Sequence, residues 1–239
     1  MGWADWLVEN RALVLDRGVQ HLVLAVVPMV AGLLISVPLA QLARSSKALR
    51  SFILTVSSLL YTIPSLALFI ILPSILGTRI LDPLNVVVAL TIYAVALLVR
   101  AAIDALDSVD DDLRQAATAM GYPPVPRFFA VDLPLSLPVM FAGLRVVSVS
   151  NISLVSVAAL LGVENLGRLF TDGLQRNFPA EVVIGIVAIL LLALMMDALL
   201  VFLDRLLTPW TRVAAGRSQA GTPSAAYLAE APVHSGAGQ

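Results

Sequence analysis

The sequence predicts an all-α membrane protein with five transmembrane helices, and three observations carry that reading. Apolar residues make up 59% of the 239 and charged residues only 13%, against about 45–50% and about 25% in soluble domains. The apolar residues gather into five stretches near the roughly 20 that a hydrocarbon core about 30 Å thick demands of a helix. Those stretches are almost free of charge, while the polar residues collect between them. Mean hydropathy is +0.93.

Residues 1–19 are too polar to span and form an extracytoplasmic N-terminal segment. Trp3, Trp6, Leu7 and Val14 fall near one face at helical spacing, which suits an interfacial helix with indoles at headgroup depth. A short leader with two chance tryptophans is the plain alternative. Asp5, Glu9 and Asp16 stand where a signal peptide would be basic, and the apolar run that follows is too long for one. The transmembrane domain occupies 20–211, with spans at 22–43, 51–72, 83–99, 138–161 and 181–203. The first two carry no charge and the third is the shortest. The fourth contains Arg145; the fifth starts at Glu181 and contains Asp197. Pro28, Pro38 and Pro64 are candidate kinks. The tail 212–239 is rich in Gly, Ala, Ser and Pro without apolar periodicity, which reads as a disordered cytoplasmic extension.

Five spans put the termini on opposite sides, and basic residues set the orientation. One side would hold ten of them, including Arg44, Lys47, Arg50, Arg114 and Arg127; the other would hold five, including Arg11, Arg17 and Arg79. The N-terminus is therefore expected outside and the C-terminus in the cytoplasm.

Composition also excludes chemistry. There is no cysteine, so disulfides, thiolate metal sites and a cysteine nucleophile are ruled out. The two histidines, His21 and His234, lie near opposite ends of the chain. Lys47 is the sole lysine and follows Ser46, whereas a P-loop needs Gly-Lys-Ser/Thr. HExxH and GxSxG are absent. A net charge of −1 offers no footprint for nucleic acid. The chain reads as a non-enzyme, and any ATP it depends on must be bound by another subunit.

The connection 100–137 is the informative loop. Ser108-Val-Asp-Asp111 opens it like a capping box, with acids that complement the helix dipole. Leu113, Ala116, Ala117 and Met120 fall on one helical face, and Gly121 supplies a terminator. Pro123, Pro124 and Pro126 then break the helix. The run Asp110-Asp111-Asp112 reads as capping and solvation in preference to a metal site.

Gln115-Ala116-Ala117-Thr-Ala-Met120-Gly121, followed nine residues later by Val131-Asp-Leu133-Pro134, resembles the EAA signature of binding-protein-dependent ABC importer permeases. Two positions depart from it: Gln115 replaces Glu, and Val131 replaces Ile. Tyr61-Thr-Ile-Pro64-Ser-Leu-Ala-Leu68 and Leu160-Leu-Gly162-Val-Glu-Asn-Leu166-Gly167 resemble segments of the osmoprotectant permeases, which carry glycine betaine, choline or carnitine. The resemblance implies a type I ABC importer permease core with a cytoplasmic coupling helix, in a bacterial plasma membrane. It further implies a pair of ATP-binding subunits holding ATP and magnesium, a second permease subunit, identical or related, and an extracytoplasmic substrate-binding protein. This chain itself would bind no cofactor. Small residues at Ala116, Ala117 and Gly121 would admit close approach of the ATPase, with Leu113 and Met120 filling a groove. Related amino-acid permeases share the architecture.

Ionisable groups inside spans are costly unless paired or wet. Arg145 and Asp197 lie about 10 Å and about 9 Å from the same membrane face, so they are expected to pair; separate snorkelling is the alternative. Ser148, Ser150, Asn151, Ser153 and Ser156 make the fourth span polar, either for helix packing or as a pathway lining. Aromatics are sparse, which places tight recognition of a quaternary amine on an external protein. The rival from another class is an ion-coupled transporter using Asp197.

Overall fold

A computed structural model describes residues 2–210, and these are almost entirely helical. The expected disordered tail, 212–239, lies outside the described residues. Helix α1 (Trp3–Glu9) stops at Asn10, and α2 (Arg11–Ala43) begins at once. The boundary expected near residue 20 is absent, because residues 11–19 are the first turns of the 33-residue α2. The face read from Trp3, Trp6, Leu7 and Val14 is therefore divided between two helices. Trp6 is buried against Leu166, Leu169 and Ile184, while Trp3 stays 67% exposed. Helix α2 continues through Pro28 and Pro38.

The single span expected at 51–72 is a bent pair, α3 (Lys47–Thr62) and α4 (Ser65–Leu76), with 100° between them. Pro64 is the cause. A proline pushes the preceding residue out of the helical region, and Ile63 sits extended at φ −65°, ψ 128°. The Tyr93 hydroxyl donates to the Ile63 carbonyl left over at this break.

Tyr93 belongs to α5 (Pro83–Asp107), which starts at Asp82, whose side chain accepts from the Leu84 N–H at 2.9 Å. Helix α5 passes the expected end at Val99 and carries the chain to Asp107. Two short helices follow, α6 (Asp111–Ala119) and α7 (Pro124–Arg127). A π-helical turn, Phe128–Asp132, then leads directly into α8 (Leu133–Ala158), which a 3₁₀ turn closes at Leu161. Residues 133–137, expected in the loop, are thus membrane-helix residues. Helices α9 (Arg168–Gln175) and α10 (Pro179–Leu207) complete the described chain. Among the described residues four helices are long and apolar enough to cross a membrane, and the α3–α4 pair makes five if it counts as one span.

Helix α5 is the trunk. Of its most apolar stretch 56% is buried, against 11% for α10. Ala89, Ala94, Ala102 and Ala105 are wholly enclosed. Lipid tails are as apolar as side chains, so helices gain association by close contact, which small residues permit. A Cβ placed on Gly32 of α2 would lie 2.6 Å from the Ala94 Cβ, and one on Gly143 of α8 would lie 2.5 Å from the Ala101 Cβ. Gly18, also in α2, has nothing within 4 Å. One substitution should therefore act with opposite signs. Gly32→Ala and Gly143→Ala should each cost about 1–3 kcal/mol by overpacking, seen as a lower melting temperature in detergent. Gly18→Ala should be neutral or stabilising by up to about 1 kcal/mol.

Candidate functional site

Helix α6 and its flanks form an exposed apolar platform at one end of the bundle. The N-cap is Asp110, whose carboxylate accepts from the Asp112 N–H at 2.9 Å. The expected opener, Ser108, instead ends α5, its hydroxyl donating to the Ala105 carbonyl at 2.7 Å. Asp110 is extended and sits directly before the first helical residue, which is the geometry an N-cap needs. At the other end the Gly121 N–H donates to the Thr118 carbonyl and the Tyr122 N–H to the Ala117 carbonyl, at 2.9 and 3.1 Å. This is a Schellman closure. Gly121 has φ +88° with open space around it, so backbone conformation alone demands glycine there.

The apolar face read from the sequence is split. Ala117 is 2% exposed and packs inward, whereas Leu113, Gln115, Ala116 and Met120 face outward. Met120, Val125 and Phe129, at 73%, 67% and 63% exposed, continue the platform across α7 and the π turn. The proline-rich break is thus a short helix, with Pro124 in its first turn. Gln115 borders an open depression of about 440 Å³ between α6 and Arg127. Leu133 and Pro134 are half-buried at the start of α8. Leu133 also lines an apolar groove of about 700 Å³ with Phe128, Phe129 and the Leu33–Leu42 stretch of α2.

Ion pairs bind this end together. Asp107 at the end of α5 holds Arg44 at 3.3 Å and Arg50 at 2.6 Å, so α2, α3 and α5 converge there. Burial, then the like charge of Arg114, pulls the Arg44 guanidinium below its ordinary pKa, and Asp107 pulls it back. Asp132, at 1% exposed, is enclosed beneath α6. In the sequence it stands at the variable position before Leu133, and its only local signal is a carboxylate two residues before a membrane-helix proline.

Arg145 of α8 and Asp197 of α10 do meet, in a two-pronged contact with Nε–Oδ1 at 2.6 Å and Nη2–Oδ2 at 2.9 Å. Both side chains are partly exposed, so the pair lies at the bundle surface. Ser148 and Asn151 are buried, and the Asn151 amide donates to the Ala25 carbonyl of α2 at 3.2 Å. The Asn151 contact ties α8 to α2. Ser153 and Ser156 instead border a cavity of about 390 Å³ beneath Phe170 and α10. Pro64 is exposed at the α3–α4 bend.

A second charged cluster, unread from the sequence, closes the opposite end. Arg17 of α2, 7% exposed, places Nη2 2.9 Å from Asp172 of α9 and Nε 3.2 Å from Glu164. The partners lie 147 and 155 residues away in sequence, beyond any local pattern. The Asn165 side chain caps the turn before α9, accepting from the Gly167 N–H at 2.7 Å.

The α8–α10 pair is testable directly. Reversing either charge, by Arg145→Asp or Asp197→Arg, should lower the yield of folded protein extracted from membranes, and combining both should restore it. Absence of restoration would show that the contact does not hold the two helices together.

A family model described as the binding-protein-dependent transport system inner membrane component matches residues 30–213. The osmoprotectant import permease protein OsmW of Salmonella typhimurium is 34% identical over 87% of this chain and 98% of its own. The choline transport system permease protein OpuBB of Bacillus subtilis is 27% identical over 86% and 93%. The fold resembles a chain of the inward-facing MetNI methionine ABC transporter, with TM-score 0.69 and 20% identity over 83% of this chain and 96% of that one. It also resembles an amino acid ABC transporter crystallised with histidines, with TM-score 0.70 and 16% identity over 86% and 98%. The exposed helical loop at the end of a five-helix core, the spaced motif within it and these relatives agree: the chain belongs to the binding-protein-dependent inner membrane component family, the permease subunits of ABC importers.

Proposed function

We propose that this permease moves a small quaternary-amine osmoprotectant, such as glycine betaine, choline or carnitine, into the cell on ATP hydrolysed by a separate pair of subunits. The observation that carries the coupling part is the platform of α6. A helix with Leu113 and Met120 exposed is unfavourable in isolation and suits an apolar groove on another protein. Gln115, Ala116 and Gly121 give that groove a close approach to backbone. The buried Ala117, together with Leu133 and Pro134, seats the platform on the bundle. ATP and magnesium belong to the ATPase chains. The α6 end faces the cytoplasm, as the basic residues gathered there favour, and the α9 end faces outward, where a substrate-binding protein delivers cargo.

The substrate class rests on the relatives, whose printed names are osmoprotectant and choline permeases, in preference to the amino-acid carriers that share the fold at lower identity. Two permease chains enclose the pathway between them, since α10 and the outer face of α3 leave broad apolar surface uncovered. An ion-coupled mechanism through Asp197 is disfavoured by its two-pronged contact with Arg145, which occupies both carboxylate oxygens.

Uptake into vesicles carrying the complete importer should require ATP, persist when the membrane potential is collapsed, and be competed by choline or glycine betaine but not by methionine or histidine. Uptake that follows the potential without ATP would refute the ATP-driven reading. Within the platform, Met120→Asp should strip the ATPase subunits from the purified complex. Gly121→Val should do the same by opening the Schellman closure, since a β-branched residue resists positive φ. Gly121→Asn, which tolerates that conformation, should retain them.

A further inference from the structure

Helix α6 has little apolar anchorage: among its residues only Ala117 is buried. Any displacement it receives must reach the membrane helices through something else. The structure offers one arrangement. Arg114, in the middle of α6, donates Nε to Asp132 Oδ1 at 3.0 Å, Nη1 to Asp111 at 2.6 Å, and Nη2 to the Leu106 carbonyl in the last turn of α5. Arg127 of α7 lies 3.5 Å from the other Asp132 oxygen, and its Nη1 donates to Thr118 of α6 at 2.9 Å. One carboxylate thus takes a guanidinium on each oxygen. One guanidinium, planar and fixed in its fork, reaches α5, α6 and the start of α8 together.

The π turn explains how Asp132 comes to be there. Residues three apart in an α-helix share a face, yet Phe129 is 63% exposed while Asp132 is 1% exposed. The wider turn from Phe128 to Asp132 separates them, sending the ring outward and the carboxylate in. Single π turns of this kind recur at functional places in helices. A carboxylate this enclosed is stable only when paired, so its position is tied to the two arginines.

We propose that Asp132 is a positioning residue for energy coupling: with Arg114 and Arg127 it clamps the coupling helix to α5 and α8, so that motion of α6 turns both spans as one. The proposal rests on the reading that α6 receives the ATPase. It adds that docking and transmission are separate properties, residing in Met120 and Asp132 respectively.

The test uses the complete importer in proteoliposomes, with radiolabelled choline or glycine betaine as probe. Two quantities are read: ATPase subunits retained on purification, and substrate transported per ATP hydrolysed. Asp132→Asn should keep its ATPase subunits and hydrolyse ATP, but transport about tenfold less per ATP, a coupling loss of ordinary size. Asp132→Glu should recover most of that ratio. Arg127→Gln, which removes a less enclosed contact, should fall between and is read in place of Asp132→Asn if that variant does not insert. A wild-type ratio in whichever of the two is read, or a Glu variant no better than Asn, overturns the clamp. Met120→Asp distinguishes the two ideas. If it keeps its ATPase and couples normally, the docking reading fails; if it sheds its ATPase while Asp132→Asn couples normally, only the clamp fails.

Discussion

Close contact around α5 is the constraint on which the rest of the structure depends. In lipid the apolar faces of helices gain nothing by leaving a solvent that is itself apolar, so association needs surfaces that fit. Helix α5 supplies alanines at Ala89, Ala94, Ala101, Ala102 and Ala105, and α2 and α8 meet them with Gly32 and Gly143. The less enclosed α10 packs closely on α9 at Gly185 and adds to its apolar contacts with α8 the charged pair Arg145–Asp197. The α3–α4 pair is bent at Ile63, which is extended before Pro64, and the Tyr93 hydroxyl ties that bend to α5.

At its ends, where water returns, the bundle is closed by charge. The α9 end gathers Arg17, Glu164, Arg168, Asp172, Arg176 and Glu181; the α6 end gathers Arg44, Arg50, Arg114 and Arg127 around Asp107, Asp111 and Asp132. Both clusters join segments far apart in sequence. Arginine suits the task because its fork can hold several acceptors at fixed angles. The consequence for function is mechanical. An apolar trunk sealed by small residues resists internal deformation, and an ionic collar makes the exposed α6 platform part of it.

What the sequence made legible follows from the reach of each signal. Helix identity and the apolar stretches were plain, because a 20-residue hydrophobic run has few other uses. The α6 platform was readable from local spacing, down to Gly121 as terminator. The Arg145–Asp197 contact was reachable because depth in a membrane can be counted along each helix. Boundaries were another matter. The split of 51–72 turns on whether one proline kinks or breaks, and Pro28 and Pro38 in α2 show that composition alone does not decide. Ser108 and Asp110 compete as caps two residues apart, and only the backbone settles which is extended. Ala117 shares a periodic face with Leu113, Ala116 and Met120 yet packs inward, because helical periodicity gives a face without saying which way it turns. Arg17 gives no local sign of its partners, and Asp132 is marked only by its place before Pro134, since each is defined by groups that folding brings to it.

A clamp at Asp132 requires α5 and α6 to move as one body. The chain contains no cysteine, so it can be labelled at two chosen places, at Asp112→Cys in the first turn of α6 and Leu84→Cys in the first turn of α5, both exposed. The distance between spin labels at these positions, measured by pulsed electron resonance in the complete importer with and without ATP, addresses that claim most directly. Clamped helices give a narrow distribution whose centre moves by less than about 2 Å, the scale of a small helix shift. A larger displacement on adding ATP, or a distribution that broadens, would show α6 moving independently of its trunk and would contradict the clamp.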